Sequence, residues 1–324
     1  MASNFNRTAA RMIGKGRHSH STPGAHDDAP SRPAFRNGCG VLRHHATPGS
    51  YQHLRYPPSS ALADWVQHFW IESWDVRGHD AQVREVLPHP NVQCVFAHGR
   101  SKIYGVQLRR FVRQLTGADR IFGITFRAGA FYPFLREPMC SIADASIPVQ
   151  SIFPDAPEAE AKILACRNDQ AMVRAASRFL RAHLPPRDSR VEAANAVVRQ
   201  IVSDPTITRV GHLVPRSGFP QRTLQRLFTR YVGASAQWII KRYRIYDALE
   251  MLDGRKPFDW AALAQDLGYF DQAHFINDFK KLIGCAPAVY ARRLSSRPAI
   301  ESSSTINVVA GVRMSSRGLV ERKR

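Results

Sequence analysis

Acidic residues are scarce in this chain of 324 residues. It contains 46 Lys and Arg against 26 Asp and Glu, so its formal net charge at pH 7 is +20. An excess of this size favours a polyanionic partner, and it favours nucleic acid over an anionic membrane surface.

Long hydrophobic runs and paired cysteines are also missing. No stretch approaches the roughly 18 consecutive apolar residues that a membrane span needs, so we expect a soluble, cytoplasmic protein without a membrane partner. The five cysteines are widely scattered. Because they form no Cys-x-x-Cys pair, the sequence predicts neither a disulfide framework nor a zinc site.

Catalytic signatures are absent as well. The sequence contains no Gly-x-Ser-x-Gly, no phosphate loop and no dinucleotide-binding fingerprint. Polar residues near predicted strand ends, such as His89 and Arg127, do not have the spacing of a metal site or a catalytic pair. We therefore predict no catalytic residues, no bound metal, no cofactor and no enzyme activity.

Composition and periodicity divide the chain into five parts. We predict a disordered basic arm over 1–50, a β-rich sensor or dimerisation domain over 51–153, a helical linker over 154–189, an all-α DNA-binding domain over 190–294 and a disordered basic tail over 295–324. The fold class is therefore α+β, with a mostly β N-terminal domain and two helix-turn-helix units joined by a long helix in the C-terminal domain.

Strand-like runs in the β-rich part lie at 83–87, 92–96, 103–108 and 121–126, and residues 65–74 form either a strand or a short helix that runs into one. A half-open barrel is one arrangement that agrees with these runs. Nine aromatic residues here form either the core, which is the commoner outcome, or an apolar pocket for a small effector. They are Trp65, Phe69, Trp70, Trp74, Phe96, Phe126, Phe131, Tyr132 and Phe134.

Two helices are predicted between Asp155 and Leu184, with Asp155 as an N-terminal cap and a stop at Pro185 and Pro186. Their apolar residues form one stripe. The sequence leaves open whether this stripe packs on its own domain or forms the seam of a homodimer.

Two sets of five residues recur about fifty positions apart. Leu213, Gly218, Leu224, Phe228 and Gly233 form the first set, and Leu263, Gly268, Phe275, Phe279 and Gly284 form the second. Each set predicts a short helix, a glycine-containing turn and a longer helix with apolar residues at i and i+4. In this helix-turn-helix pattern the second helix enters the major groove of DNA. Two copies in one chain indicate sequence-dependent DNA binding.

The helical period also gives the arrangement of the two copies. We predict positioning helices over 207–215 and 260–267, recognition helices over 220–232 and 272–283, and a connecting helix over 235–252 that ends at Gly254. The connecting helix is roughly 27 Å long at 1.5 Å per residue. The recognition helices can therefore reach major-groove segments one helical turn, roughly 34 Å, apart on one face of DNA.

Three segments of this region resemble the AraC/XylS family of bacterial transcriptional regulators. They are Gly-Phe-Pro-Gln-Arg-Thr-Leu-Gln-Arg-Leu-Phe at 218–228, Arg-Ile-Tyr-Asp-Ala-Leu-Glu-Met-Leu at 244–252, and Gly-Tyr-Phe-Asp-Gln-Ala-His-Phe-Ile-Asn-Asp-Phe-Lys-Lys at 268–281. The resemblance covers residues 191–294. It implies a transcription factor that binds double-stranded DNA and acts with RNA polymerase. The run at 123–130 also resembles, more weakly, an uncharacterised N-terminal domain found on some members.

Two positions depart from the family pattern in the first unit. Val214 stands where the family usually has Ala, and Pro215 follows it. Proline inside a helix removes a hydrogen bond and costs about 3 kcal/mol or more, so we predict a short or kinked first positioning helix. Pro220 replaces the serine that usually caps the first recognition helix, and it has no side-chain oxygen with which to cap.

The resemblance also places side chains on the groove-facing side of each recognition helix. In the first helix these are Arg222, Gln225 and Arg226, and in the second they are Gln272, Ala273, His274, Ile276 and Asn277. Because Arg can bond bidentately to guanine and Gln to adenine, such residues are candidates for direct base contacts.

Charge distinguishes the two units. Between Asp204 and Asp247 the sequence has no acidic residue and eight cations, namely Arg209, Arg216, Arg222, Arg226, Arg230, Lys241, Arg242 and Arg244, whereas the second unit is rich in Asp. We therefore expect the first unit to provide most phosphate contacts, with Arg230, Lys241 and Arg242 among them.

Two other functions stay open on the sequence alone. The basic tails suit a non-specific architectural DNA-binding protein, which would have no sharp sequence preference. A DNA-repair protein with a fused regulatory module is the second alternative, and it would need zinc-ligating cysteines near a reactive cysteine, which the sequence lacks.

Overall fold

The computed structural model describes residues 41–42, 49–87, 89–252 and 259–295. The predicted arm over 1–50 and tail over 295–324 lie almost entirely outside the described residues, and so does the predicted helix stop at Gly254. The N-terminal part is β-rich and the C-terminal part is helical, which confirms the α+β class.

Nine strands in the described part of the chain form two antiparallel sheets. They are β1 Val41–Leu42, β2 Ser50–Tyr56, β3 Val66–Asp75, β4 Gln82–Val86, β5 Gln93–Phe96, β6 Lys102–Tyr104, β7 Phe111–Leu115, β8 Ala118–Phe126 and β9 Ser146–Pro148. The larger sheet has the order β2-β3-β8-β5-β6-β9 and the smaller one the order β1-β4-β7. The run over 65–74 is thus a strand, while β1, β2, β7 and β9 are additions to the strands predicted from the sequence.

Side chains of β3 alternate between two environments, as the period of a strand requires. Phe69 and Ile71 are buried in the core under the helices. Trp70 and Glu72 point the other way and line a cavity of about 300 Å³ on the face turned towards the smaller sheet. Trp70 pairs with Gly123 of β8, and its indole occupies the space that a Cβ at position 123 would need.

Most of the nine aromatic residues belong to the core. Phe69, Phe96, Phe126 and Phe131 are no more than 1% exposed. Trp70 is the one among the nine that lines the cavity. The predicted pocket walled by this aromatic set is therefore not formed, and other residues supply most of the largely apolar walls of the cavity that exists.

The helices follow in chain order. Within the described residues they are α1 Tyr132–Leu135, α2 Ala156–Leu164, α3 Asp169–Ala182, α4 Ser189–Ser203, α5 Val210–Ser217, α6 Gln221–Leu227, α7 Ala236–Leu252, α8 Trp260–Asp266, α9 Gln272–Ile283 and α10 Pro287–Ser295. A single π-helical turn over Phe228–Val232 continues α6.

Helices α2 and α3 pack on the larger sheet, so the predicted helix pair serves its own domain. Ile163, Met172 and Phe179 of the apolar stripe are buried in the same core as the sheet. Asp155 stands at the N-terminal cap position of α2 but accepts no cap hydrogen bond. Its carboxylate lies 3.0 Å from Nε2 of His183 instead.

The two helix-turn-helix units have separate cores. The main core runs from the larger sheet through α2, α3 and α4 into the first unit, where it includes Leu213, Leu224 and Phe228. The second unit has its own core around Phe279. Leu87, which follows β4 in the β-rich part, is buried in that second core. The β-rich part therefore shares a core with the first unit and contacts the second through a short segment.

Candidate nucleic-acid interface

Helices α5 and α6 form the first helix-turn-helix unit. Leu213, Leu224 and Phe228 have an exposed fraction of 0%, so the repeated apolar positions lie in the core as their spacing predicts. Gly218 ends α5 with a φ of +71°, a left-handed backbone that glycine adopts without strain. The turn then leads into α6 at Gln221.

Both departures from the family pattern have local consequences. Helix α5 spans only Val210–Ser217, with Pro215 inside it, which agrees with the predicted short positioning helix. Pro220 occupies the N-terminal cap position of α6, and no side-chain hydrogen bond caps this helix. The amide groups at the start of α6 therefore lack the side-chain acceptor that a serine would provide.

The exposed face of α6 carries the predicted base-contacting side chains. Arg222, Gln225 and Arg226 are all exposed. Within the described part of the chain, no hydrogen bond or ion pair engages the side chain of any of the three. Their donor groups are therefore free to bond to bases or phosphates.

Helices α8 and α9 form the second unit, and an aspartate caps each of them. The Asp259 carboxylate accepts hydrogen bonds from the backbone N–H groups of Ala261 and Ala262, and Asp271 accepts one from that of His274 at 2.8 Å. This bond from the His274 N–H holds the pKa of Asp271 below its usual value. Both caps stand directly before the predicted helix starts at 260 and 272.

The exposed face of α9 presents the predicted polar set. Gln272, His274 and Asn277 are exposed, whereas Ile276 is half-buried. Nδ1 of His274 lies 2.9 Å from the Asp271 carboxylate, which restrains this ring at the start of the helix. The amide side chains of Gln272 and Asn277 are thus the chief donors and acceptors on this face.

Phe270 is a residue that the sequence analysis missed. It lies in the turn before α9, is 93% exposed, and packs edge-on against His274 with 6.3 Å between the ring centroids. The sequence signal that could have identified Phe270 is its position directly before the capping aspartate and outside the apolar i and i+4 core set. Apolar side chains at such a position can contact thymine methyl groups.

The position of Arg242 contradicts the expectation that this residue contacts a phosphate group. Its exposed fraction is 1%, its guanidinium is hydrogen-bonded to the hydroxyl group of Tyr246, and it lies 4.1 Å from the centroid of that ring. A buried guanidinium of this kind cannot reach a phosphate, so the expectation is wrong for Arg242. Arg244 is also buried, donates to the carbonyl group of Ile201 at 3.1 Å, and pairs with Asp247.

Other cations of the first unit are exposed but already engaged. Lys241 lies 2.8 Å from the Asp278 carboxylate of α9. Arg230 donates to the hydroxyl group of Tyr132 at 2.8 and 2.9 Å. Arg216 pairs with Asp204 at 3.1 Å. Among the predicted phosphate and base contacts, Arg222 and Arg226 are therefore the cations whose charge is least compensated.

Two negative findings apply to the described residues only. No group of three or more His, Cys, Asp or Glu side chains in these ranges is arranged to hold a metal ion. No helix described in the structure has the length and apolar character needed to cross a membrane.

Two parts of the chain match known protein families. Residues 213–293 match a family described as "Helix-turn-helix domain", and residues 54–148 match a "Domain of unknown function (DUF6597)". A comparison with curated protein sequences found no significant match.

Several solved structures are similar to the chain. A probable AraC family transcriptional regulator from Rhodopseudomonas palustris CGA009 has 27% identity, covers 33% of this chain and 99% of its own, and has a TM-score of 0.29. Unsaturated fatty acid bound wild-type ToxT from Vibrio cholerae strain SCE256 has 12% identity, covers 79% of this chain and 99% of its own, and has a TM-score of 0.32. ToxT from Vibrio cholerae O395 has 12% identity, coverages of 76% and 98%, and a TM-score of 0.32.

Proposed function

We propose that this chain recognises one specific DNA sequence with its two recognition helices. The chain carries an AraC-type helix-turn-helix domain behind a DUF6597 domain and is a DNA-binding transcriptional regulator. Helix α6 and the turn that continues it would occupy one major-groove segment. Helix α9 would occupy the next segment on the same face of the duplex.

The observation that carries this proposal is the contrast between the two sides of each recognition helix. On α6 the apolar positions are buried, while Arg222, Gln225 and Arg226 are exposed and have no partner among the described residues. On α9 the polar residues Gln272 and Asn277 occupy the corresponding exposed side. Guanidinium and amide groups on an exposed recognition helix are suited to base edges as well as to phosphates.

Non-specific architectural binding is the rival that shares this basic character. It would use cations at phosphates and would be indifferent to base sequence. The uncharged amides of α9 release no counterions when they bind, whereas they can distinguish base pairs. We therefore favour sequence-specific recognition.

Selection of bound duplexes from a random pool by the full chain tests the proposal. We expect enrichment of a motif with two blocks of base preference, whose centres lie roughly 10 base pairs apart. Recovery of duplexes without any enriched motif, at an affinity that depends strongly on salt, would instead establish the architectural function.

Transcriptional control also implies partners beyond DNA. We propose RNA polymerase as the protein partner and a small molecule as the effector. Support for the effector comes from the cavity of about 300 Å³ between the two sheets, which has the size of small-molecule sites in other proteins.

A further inference from the structure

The cavity between the sheets has largely apolar walls, and its charged lining residues are four cations against one carboxylate. Its walls come from the outer face of the larger sheet and from β4 and β7 of the smaller one. Six of its lining residues carry the argument, and they are Tyr51, His53, Trp70, Glu72, Arg84 and Arg113. Nη1 of Arg113 lies 2.8 Å from the Glu72 carboxylate, so the acidic wall residue Glu72 is already paired.

Arg55 adds a further buried cation to this face. It lies two residues after His53 on β2 and pairs directly with Trp70, so it belongs to the same side of the sheet. Nε and Nη2 of Arg55 are buried and have no hydrogen-bond partner among the described residues. Burial lowers the pKa of this guanidinium to about 10, which still leaves it charged at neutral pH. A charged donor in this position lacks an acceptor.

His53 has the same unsatisfied character. Both of its ring nitrogens are buried, and neither has a hydrogen-bond partner in the described structure. Burial lowers the pKa of His53, so the neutral imidazole offers one N–H donor and one acceptor. His53 lines the cavity itself, whereas Arg55 lies beyond the lining residues on the same strand.

Flat ring systems form the remaining walls. The His53 imidazole is stacked on the Trp70 indole, with centroids 5.5 Å apart and an angle of 20° between the planes. Tyr104 of β6 and Phe111 of β7 also line the cavity and meet edge to face, with 6.2 Å between the ring centroids. Such walls favour a planar ligand over a bulky one.

We propose that this cavity binds a small planar organic anion, which accepts a hydrogen bond from His53 and is attracted by the buried charge of Arg55, and that its occupancy alters DNA binding through Leu87 and His89. The binding site itself is independent of the proposed function, whereas the effect on DNA rests on it.

The route to DNA follows from two cavity residues that also contact the second unit. Leu87 lines the cavity. It is also buried, with an exposed fraction of 3%, in the core that contains Ile245 and Phe279. His89 lines the cavity and is stacked on Tyr246 of α7. Because the first unit shares its core with the sheet, a shift of Leu87 and His89 would move the second recognition helix relative to the first. The spacing of the two helices determines which DNA they can occupy together.

Calorimetry of the full chain without DNA tests the binding site, with cinnamate as the probe and cinnamamide as its neutral counterpart. We expect cinnamate to bind about tenfold or more tightly than cinnamamide. Arg55→Gln should reduce cinnamate affinity to the level of the amide, while Arg77→Gln, a change at an arginine that is 73% exposed, should leave it unaltered. Equal affinity of the two probes for the parent chain, or no binding of cinnamate, would overturn the anion site without reference to any variant.

The effect on DNA is tested with the duplex selected from the random pool. Bound cinnamate should change the DNA affinity of the parent chain by about fivefold or more, and bound DNA should change the cinnamate affinity by the same factor. Leu87→Ala and, as a milder change, His89→Asn should both bring that factor close to one. An unchanged factor in both variants, or a factor of one in the parent chain, would refute the route. Because cinnamate binding is measured without DNA, its failure is distinguishable from a failure to recognise a DNA sequence.

Discussion

The imidazole of His89 is stacked on the ring of Tyr246, with 6.0 Å between their centroids and 27° between their planes. His89 belongs to the β-rich part and Tyr246 to the long helix between the two DNA-binding units. The hydroxyl group of Tyr246 accepts a hydrogen bond from the buried guanidinium of Arg242, which lies 4.1 Å from the centroid of the same ring. Burial, followed by the charges of Arg242 and Arg55, holds the pKa of His89 well below its usual value. A continuous line of contacts therefore leads from the cavity to the connecting helix.

Base recognition by α6 is tested by Arg222→Ala and Gln225→Ala. Each should cost about 1–3 kcal/mol of binding free energy at the selected site and relax the base preference there, because a donor to a base edge is lost. Competition binding against random duplex measures both effects. Arg178→Ala, at an exposed arginine on α3, is the matched control and should alter neither. An equal loss on selected and random DNA would show that the α6 residues contact only phosphates.

The core of the second unit is tested by a pair of phenylalanine substitutions. Phe279 is 0% exposed and Phe270 is 93% exposed. Phe279→Ala should lower the free energy of unfolding by about 3–5 kcal/mol, because it leaves a cavity in the core. Phe270→Ala should leave stability unchanged and weaken binding to the selected DNA. If Phe279→Ala unfolds at the same temperature as the parent chain, the second helix-turn-helix assignment is wrong.

Salt dependence distinguishes the exposed cations from the buried one. Arg226→Gln should reduce the slope of log affinity against log salt by about 0.9, since one phosphate contact and its counterions are lost. Arg242→Met should leave the slope unaltered because this guanidinium is buried against Tyr246. Thermal melting verifies that both variants fold. A smaller slope for Arg242→Met, in a folded protein, would mean that this side chain reaches DNA.

Stability below neutral pH depends on the cavity histidines. Burial, with Arg55 and His53 nearby, holds the pKa of His68 well below the ordinary histidine value of about 6.5. The folded state therefore binds fewer protons than the unfolded state below about pH 6.5, and the free energy of unfolding must fall as pH decreases through that range. Above about pH 6.5 the His68 imidazole is mainly neutral in both the folded and the unfolded state, so its protonation no longer lowers the free energy of unfolding.

Unfolding in denaturant between pH 7.5 and 5.5 measures this dependence. His68→Asn should show a shallower loss of stability than the parent chain. His98→Asn, at an exposed histidine, should follow the parent curve. Identical curves for His68→Asn and the parent would contradict the assignment.

Local signals explain why the second helix-turn-helix unit was predictable. Asp271 caps α9 through a neighbouring backbone amide, and Phe275 and Phe279 repeat at helical spacing, so the bounds 272–283 follow from adjacent residues. Strand β7 was missed because Phe111–Leu115 has little apolar alternation and pairs with β4, almost thirty residues earlier along the chain.

The buried arginine shows where sequence reasoning about charge stops. Arg242 has its partner Tyr246 four residues later, a spacing that the sequence displays. Whether such a pair lies on the surface or in the interior depends on tertiary packing, which charge counting along the chain does not report. The cavity was missed for a related reason, because its lining residues come from many separate strands.

Recognition of adjacent DNA segments by separate helices is tested most directly by repeating the random-pool selection with a variant of α9. Gln272→Ala combined with Asn277→Ala removes uncharged groups only, so the salt slope should stay as in the parent chain. We predict that the base preference disappears in one block of the selected motif and is retained in the other, roughly 10 base pairs away. A motif that is unchanged in both blocks, or lost from both together, would contradict the assignment of one DNA segment to each helix.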